Sequence, residues 1–351
     1  METMLHERNQ SSTTRNILMA AGAGGLLWYG LRKLREQRLQ GRTVVITGGS
    51  RGLGLLLARE FAREGAAGIL LCARDAQELE RARQDLQQYG TPVTTFAGDV
   101  SDPAKMHELV ETATEHFGQV DILINNAGII MVEPLSAVTR EDIERAMDVM
   151  FWGVVNSTLA VLSQMLRRGS GQIINITSIG GVVSVPHLMP YNCAKSAAVG
   201  FSESITAELA PKGIHVTTVI PGVMRIGSHL NAEFGGNAER EYTWFSLGAS
   251  LPLLSVKGER AARQITAGIK RRARVVIVGL PAQIASRLHR LFPSISIGVM
   301  ELVNRLLPTA DQAATEHQRG YEIQQGTTSP WFNRLTALGQ QAADRNNENG
   351  R

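Results

Sequence analysis

From Arg42 onward, short β-branched apolar runs alternate with longer stretches whose apolar residues recur at helical spacing. Thr43–Thr47, Gly68–Ala73, Val93–Ala97, Asp121–Ile124, His215–Ile220 and Arg274–Val278 read as strands. Between them, Leu55–Glu64, Ala76–Tyr89, Pro103–Phe117 and Gly258–Arg271 read as helices, and Met150 falls in a further long one. Strand and helix in strict alternation predict an α/β fold: a doubly wound parallel sheet with helices on both faces. A ligand is then expected at the carboxyl ends of the strands.

Both ends depart from that alternation. Residues 1–16 are polar, and Ile17–Leu31 carries no charge. As a helix that run reaches only about 22 Å, short of a ~30 Å hydrocarbon core. It ends in Trp28-Tyr29, contains the small pairs Ala20/Gly24 and Ala21/Gly25, and precedes the basic cluster Arg32, Lys33, Arg35, Arg38 and Arg42. No small-residue cleavage site follows it, which disfavours a removable leader. Two readings result: a membrane-anchoring hydrophobic helix with the basic side on the cytoplasmic face, or a helix packed on the domain or a partner in a soluble cytoplasmic protein.

At the other end, Ala282–Leu307 has an apolar stripe interrupted by Pro293, which predicts two amphipathic helices. With Arg287, Arg290 and Arg305 they could lie on a membrane surface, cover the substrate mouth or join subunits. Gly326–Arg351 is polar and is expected to be loosely held, with Trp331 and Phe332 pinning its start. The domain organisation that follows is 1–40 (polar start and hydrophobic helix), 41–279 (a single α/β domain) and 280–351 (amphipathic helical extension and polar tail).

Composition changes this picture little. The 351 residues are 43% hydrophobic and 19% charged, an ordinary globular balance. A net charge of +4 gives no argument for nucleic acid. Two cysteines, Cys72 and Cys193, suggest no disulfide framework and fit a reducing compartment. No internal repeat and no metal-ligand spacing is visible, so no metal is expected.

The chemistry begins where the first strand runs into Gly48-Gly49-Ser50-Arg51-Gly52-Leu53-Gly54 and a helix follows. Glycines let a backbone approach closely, and the amides and dipole of a helix N-terminus favour an anion, so this is a pyrophosphate site. At the end of the second strand, where an acid would hold ribose hydroxyls, stands Ala73 and then Arg74. Arg74, helped by Arg51, can clamp a 2′-phosphate, which reads as NADP(H) over NAD(H); the plainer reading is a solvated helix start capped by Asp75. Asp99-Val100 lies near the expected adenine, or else caps the helix at Pro103, and the fourth strand leads into Asn125-Asn126-Ala127-Gly128. Tyr191 and Lys195 are four apart on one helix face. An ammonium beside a phenol favours the phenolate and should lower the tyrosine pKa, giving a proton donor or acceptor for a carbonyl or alcohol.

Together these residues resemble the short-chain dehydrogenase/reductase family. Thr47-Gly48-x-x-x-Gly52-x-Gly54, Asn125-Asn126-Ala127-Gly128, Ser178 thirteen residues before Tyr191, Lys195 four after it, and Pro221-Gly222 match its motifs in order over Gly41–Val278. The resemblance implies a Rossmann-type domain. It implies catalysis by Ser178, Tyr191 and Lys195, with Lys195 also on the nicotinamide ribose. It implies cofactor contacts from Gly48, Ser50, Arg51, Gly52, Leu53, Gly54, Arg74, Asp99, Val100, Asn125, Ala127, Gly128, Tyr191, Lys195, Pro221, Gly222 and Val223. Dimers or tetramers are implied too. The hydrophobic start and amphipathic tail resemble a bacterial group of such reductases.

Two positions depart from the family. Met150 stands where an asparagine usually completes a proton relay, and Ile226 where a threonine often meets the carboxamide. Asn156, six residues beyond Met150, is a poor match for the same helix face, and His187 reads as a polar surface-loop residue. Gly222–Lys257 interrupts the alternation where relatives carry a lid; Tyr242–Leu254 is apolar, with Trp244 and Phe245, suggesting a lipophilic carbonyl substrate. The leading expectation is an NADP(H)-dependent carbonyl/alcohol oxidoreductase. The alternative is an NADP(H)-binding regulator or scaffold with weakened catalysis, supported by Met150. A sugar-nucleotide epimerase is disfavoured by the small space after Pro221.

Overall fold

The central strand β1, Thr43–Thr47, is buried along its whole length. In the computed structural model, which describes residues 36–309, 316–326 and 330–349, it lies inside a seven-stranded sheet. The other strands are β2 (Gly68–Ala73), β3 (Val93–Ala97), β4 (Ile122–Asn125), β5 (Gly171–Ile176), β6 (Ile214–Pro221) and β7 (Val275–Val278). Their order is β7-β6-β5-β4-β1-β2-β3, and every neighbouring pair is parallel. The order turns back between β1 and β4, which opens a crevice at their carboxyl ends.

Period-two alternation sends Val44 and Ile46 to one face and Val45 to the other. The first face packs on helices Gly52–Arg63, Ala76–Leu86 and Gly258–Lys270, the second on Pro103–Phe117 and Gly153–Arg168. The doubly wound α/β sheet is therefore as expected. The helix Arg140–Arg168, including its π turn, is long and apolar enough to cross a membrane, yet Met150, Val154, Val161 and Met165 are buried in the domain. Ile17–Leu31 lies outside the described residues.

Boundaries moved in two informative places. The first helix begins at Gly52 rather than Leu55, so the glycine turn supplies its N-terminus directly. Strand β4 ends at Asn125, which is therefore a sheet residue. Pro293 does divide the extension, into Leu280–Leu291 and Pro293–Asn304. The described part of Gly326–Arg351 is not a loose tail. Pro330–Arg345 is a helix packed on Ala238–Ser250, a helix inside the lid segment. Phe332, 4% exposed, anchors it among Phe234, Tyr242 and Ile323, whereas Trp331, 59% exposed, does not.

Candidate active site

The glycine turn is built for close approach. Gly48 has φ +62 and Gly52 φ +55, backbone that side chains other than glycine rarely adopt. A Cβ on Gly48 would lie 2.8 Å from Ala127 Cα, and one on Gly54 would collide with Gly48 O. Asn126 clamps the turn from the β4 side: its Nδ2 donates to Thr47 O at 3.2 Å and Gly48 O at 2.9 Å. Thr47 Oγ1 in turn accepts the amides of Asn126 (3.1 Å) and Ala127 (3.2 Å). Asn126 is thus the member of the Asn-Asn-Ala-Gly run that shapes the cradle. Asn125, expected to touch the cofactor, instead turns into the sheet. Its Nδ2 donates to Asn175 Oδ1 at 2.8 Å and Thr158 Oγ1 at 3.1 Å, and its Oδ1 accepts Ser157 Oγ at 2.7 Å.

At the adenosine end, Arg51 Nη1 donates to Glu78 Oε1 at 2.7 Å, and Ser50 Oγ to Glu78 Oε2 at 2.9 Å. Glu78 is buried and was not singled out in the sequence. Arg74 is exposed at the rim. Asp75 caps the next helix by accepting from Gln77 N and Glu78 N, and these bonds hold its carboxyl below the ordinary range. Asp99 accepts from Ser101 N and Oγ, while the cap before Pro103 is Asp102. Val100 packs against Gly153. Gly222 N donates to Val278 O of β7 at 2.9 Å and Val223 O accepts Val256 N at 2.9 Å, so this segment is tied to β7 and to the short strand Val256–Lys257 rather than standing free.

The residues expected to be catalytic sit just beyond the end of β5. Ser178 Oγ accepts Gly180 N at 3.1 Å, and the Ser178 side chain is close enough to the Tyr191 phenol to lower its pKa. Lys195 Nζ lies 5.9 Å from the Tyr191 ring centroid and donates to Ile176 O at 2.9 Å. Gly128 is adjacent: a Cβ there would be 3.7 Å from Lys195 Nζ. Ser178, Tyr191, Lys195 and Gly128 therefore meet at one place. The expected pKa direction for the tyrosine is reversed. Burial raises the Tyr191 pKa, Ser178 pulls it back only in part, and burial pushes Lys195 down to about 8. The same dry pocket penalises both charges.

Met150 lies in a π turn, Asp148–Trp152, fully buried with Met131, Ala146 and Ala194. It fills the wall behind Gly128 and Lys195 with apolar atoms. Asn156 serves elsewhere, donating to Val100 O and Ser101 O at 3.1 Å. The Ile226 side chain is buried in the core under the sheet.

On the substrate side His187 is no surface residue. With φ +62, its Nδ1 lies 2.9 Å from Glu241 Oε1, and Glu241 Oε2 accepts Trp244 Nε1 at 2.6 Å. That triad joins the loop before Tyr191 to the lid helix. Glu133, Asp142 and His317 also meet, a group that could hold a metal ion. Their spacing, nearly two hundred residues apart, gives no sequence signal. Here His317 Nε2 pairs with Glu133 Oε2 at 2.8 Å, and Asp142 closes a capping box with Thr139 and faces Arg145 at 3.6 Å. The Glu133 bond raises the His317 pKa.

The donors of the glycine turn fit a dinucleotide diphosphate, but in this conformation the chain's own tail is seated there. Gly52 N donates to Asn346 O at 2.9 Å, and a Cβ on Gly52 would collide with the Glu348 carboxylate. Asn347 Nδ2 donates to Ser50 O at 2.9 Å and Glu78 O at 3.1 Å. Nothing in the composition of that polar segment signals such a contact.

The short chain dehydrogenase family profile matches residues 42–235. A Drosophila melanogaster protein, dehydrogenase/reductase SDR family protein 7-like, is 35% identical over 81% of this chain and 86% of its own length. Among solved structures, a short-chain dehydrogenase from Streptomyces avermitilis superposes with TM-score 0.65 at 26% identity, covering 76% of this chain and 98% of that one. The L-sorbose reductase of Gluconobacter frateurii, complexed with NADPH and L-sorbose, gives TM-score 0.60 at 27% identity over 68% of this chain and 95% of that one.

Proposed function

The chain belongs to the short-chain dehydrogenase family of oxidoreductases, and on that premise we propose that it interconverts a carbonyl and an alcohol using NADP(H). The observation that carries this reading is the grouping of Ser178, Tyr191, Lys195 and Gly128 at the carboxyl end of the sheet, next to the glycine turn. The nicotinamide cofactor supplies or takes up the hydride. Tyr191 gives its phenolic proton to a carbonyl oxygen, or takes one from an alcohol. Ser178 donates to the same substrate oxygen and steadies the charge that develops on it. Lys195, at about 8, keeps its proton at neutral pH and holds positive charge behind the phenol.

NADP(H) is favoured because Arg51 and Arg74 flank the adenosine rim while Ala73 offers no acid to ribose hydroxyls. Glu78 neutralises part of the Arg51 charge, which leaves Arg74 as the cation of the pair with no acidic partner among the described residues. The lid helix brings Trp244 and Phe245 beside the cluster that includes Tyr191, which favours a lipophilic substrate. The helices Leu280–Asn304 expose Leu291, Phe292, Ile295 and Leu302 at 53–70%, supporting attachment to the cytoplasmic face of a membrane, with a homo-oligomer as the family's usual assembly.

Tyr191→Phe should cut NADPH-dependent reduction of ketones and aldehydes by about 10²–10⁴-fold, with the cofactor still bound. Undiminished turnover in that variant would remove Tyr191 from the chemistry. A second reading, an NADP(H)-binding regulator with weak catalysis, is favoured by Met150, whose apolar side chain occupies the wall behind Lys195. Tight NADPH binding without turnover across a broad carbonyl panel would select it.

A further inference from the structure

The glycine turn has an internal occupant. The helix Pro330–Arg345 is fastened at its start by Phe332 and near its end by Ala343, which lies against Gly227 where no Cβ would fit. Beyond it, Asn346 and Glu348 are 2% and 4% exposed, a depth unusual for two polar residues near a chain end. Three cations of the nucleotide half face this segment. Arg59 Nη2 donates to Arg345 O at 2.8 Å and its Nη1 to Asn346 Oδ1 at 3.3 Å. Arg81 Nε donates to Asn347 Oδ1 at 2.9 Å, and Arg51 Nε stands 3.6 Å from Glu348 Oε2. Arg345 itself reaches Glu259 at 3.8 Å. From the lid side, Asn231 Nδ2 donates to Glu348 O at 2.8 Å and Oε2 at 2.6 Å, and Asn346 Nδ2 donates to Ile226 O at 3.2 Å.

These contacts put an acceptor carbonyl on the Gly52 amide and a carboxylate over the glycine that opens the helix. Both occupy positions that a diphosphate would use there: an oxygen on the amide, and carboxyl oxygens at the positive end of the helix dipole. The tail and a diphosphate cannot share that space. We propose that residues 346–349 are a built-in competitor for the cofactor's diphosphate, seated in the free enzyme and displaced when the dinucleotide enters. The proposal rests on the cofactor assignment above. Cofactor affinity is then the intrinsic affinity reduced by the fraction of molecules whose seat is open. Anything that draws Pro330–Arg345 off the lid helix would raise it.

The test compares the full chain with a form lacking residues 346–351, and with Asn347→Ala/Glu348→Ala, which keeps the chain length if the truncation does not fold. Two readouts are taken on the free proteins and on NADPH and NADH titrations: amide exchange at Gly52, and the equilibrium dissociation constant from cofactor fluorescence. The expected result is faster Gly52 exchange in both variants, with cofactor binding about tenfold or more tighter than in the full chain. Equal or weaker binding by the variants would overturn the competition, the weaker case making the tail a strap that closes over the cofactor. If neither dinucleotide binds the full chain or either variant, the cofactor assignment itself fails and the competition falls with it. Binding that is equal in all forms sinks the competition alone.

Discussion

The two halves of the C-terminal extension invert the usual relation between polarity and burial. Leu280–Asn304 is apolar and lies open to solvent: Leu280, Leu291 and Ile295 are 66–70% exposed, and no residue of Pro293–Asn304 is buried. Pro330–Asn349 is polar and ends against the glycine turn, with Asn346 and Glu348 covered. Hydrophobicity alone would assign the opposite fates. The difference lies in what each half finds to meet. The polar half meets the amides, carbonyls and arginines of a glycine turn that must be satisfied by something. The apolar half touches the domain through Ala282, Ser286 and Gln283 but leaves Leu291, Phe292, Ile295 and Leu302 open, and a lipid face or another chain is the proposed counterpart of those side chains.

The largest effect that tests this contrast is a truncation in the buried half. Phe332→Ala should cost about 3–4 kcal/mol in denaturant unfolding, because it empties a packed site under Tyr242 and Phe234. Leu291→Ser should stay within about 0.5 kcal/mol, since its side chain loses little on truncation. Comparable losses from both would erase the contrast. Next in size is a change at the open face. Ile295→Asp with Leu302→Asp should lower co-sedimentation with anionic lipid vesicles about tenfold, and unchanged partition would assign the face to a protein partner instead.

A smaller effect is set by pH. Burial raises the Glu348 carboxyl to about 7, opposed by Arg51 and by the Asn231 bond and reinforced by Glu78. A carboxyl raised when seated binds a proton more tightly there than when released. Seating is therefore fully supported below its ordinary pKa of 4.5 and weakens as pH rises through about 7. The slope is at most about 1.4 kcal/mol per pH unit. The Gly52 amide's protection factor, with intrinsic exchange divided out, should fall as pH rises from about 4.5 to about 7, and Glu348→Gln should flatten that profile. A wild-type profile as flat as the variant's would place the charge elsewhere. The smallest change is Arg74→Ala at the rim of the seat, expected to weaken NADPH by about five- to tenfold and to leave NADH unaltered. A preference for NADH in the unaltered chain would end the phosphate-clamp assignment.

Much of this was legible in residue order. The glycine turn, the Asn-Asn-Ala-Gly run, Ser178, Tyr191 and Lys195 announce themselves because each needs a particular residue at fixed spacing, and the sheet follows from alternation. What stayed hidden depends on distance in the chain. Asn125 and Asn126 look equivalent until the strand ends at Asn125 and its side chain must point into the sheet. Glu78, His187 with Glu241, and Glu348 act through partners from 27 residues away (Arg51 to Glu78) to 117 and more (Asn231 and Arg51 to Glu348), and no local pattern encodes such a meeting. The tyrosine pKa was misjudged because spacing sets a neighbour but not the dryness around it.

The amide pair in the sheet has one more consequence. Asn125, Asn175, Ser202 and Thr218 form a single line of hydrogen bonds across β4, β5, the helix Met189–Leu209 and β6. Every group in it is sealed from water. Sliding any one strand by a residue would leave these hydrogen-bonding groups stranded in oil, at a cost of about 1–3 kcal/mol each. The line works as a locking pin, holding three strands level so that the loops leaving their tips always meet at the same height.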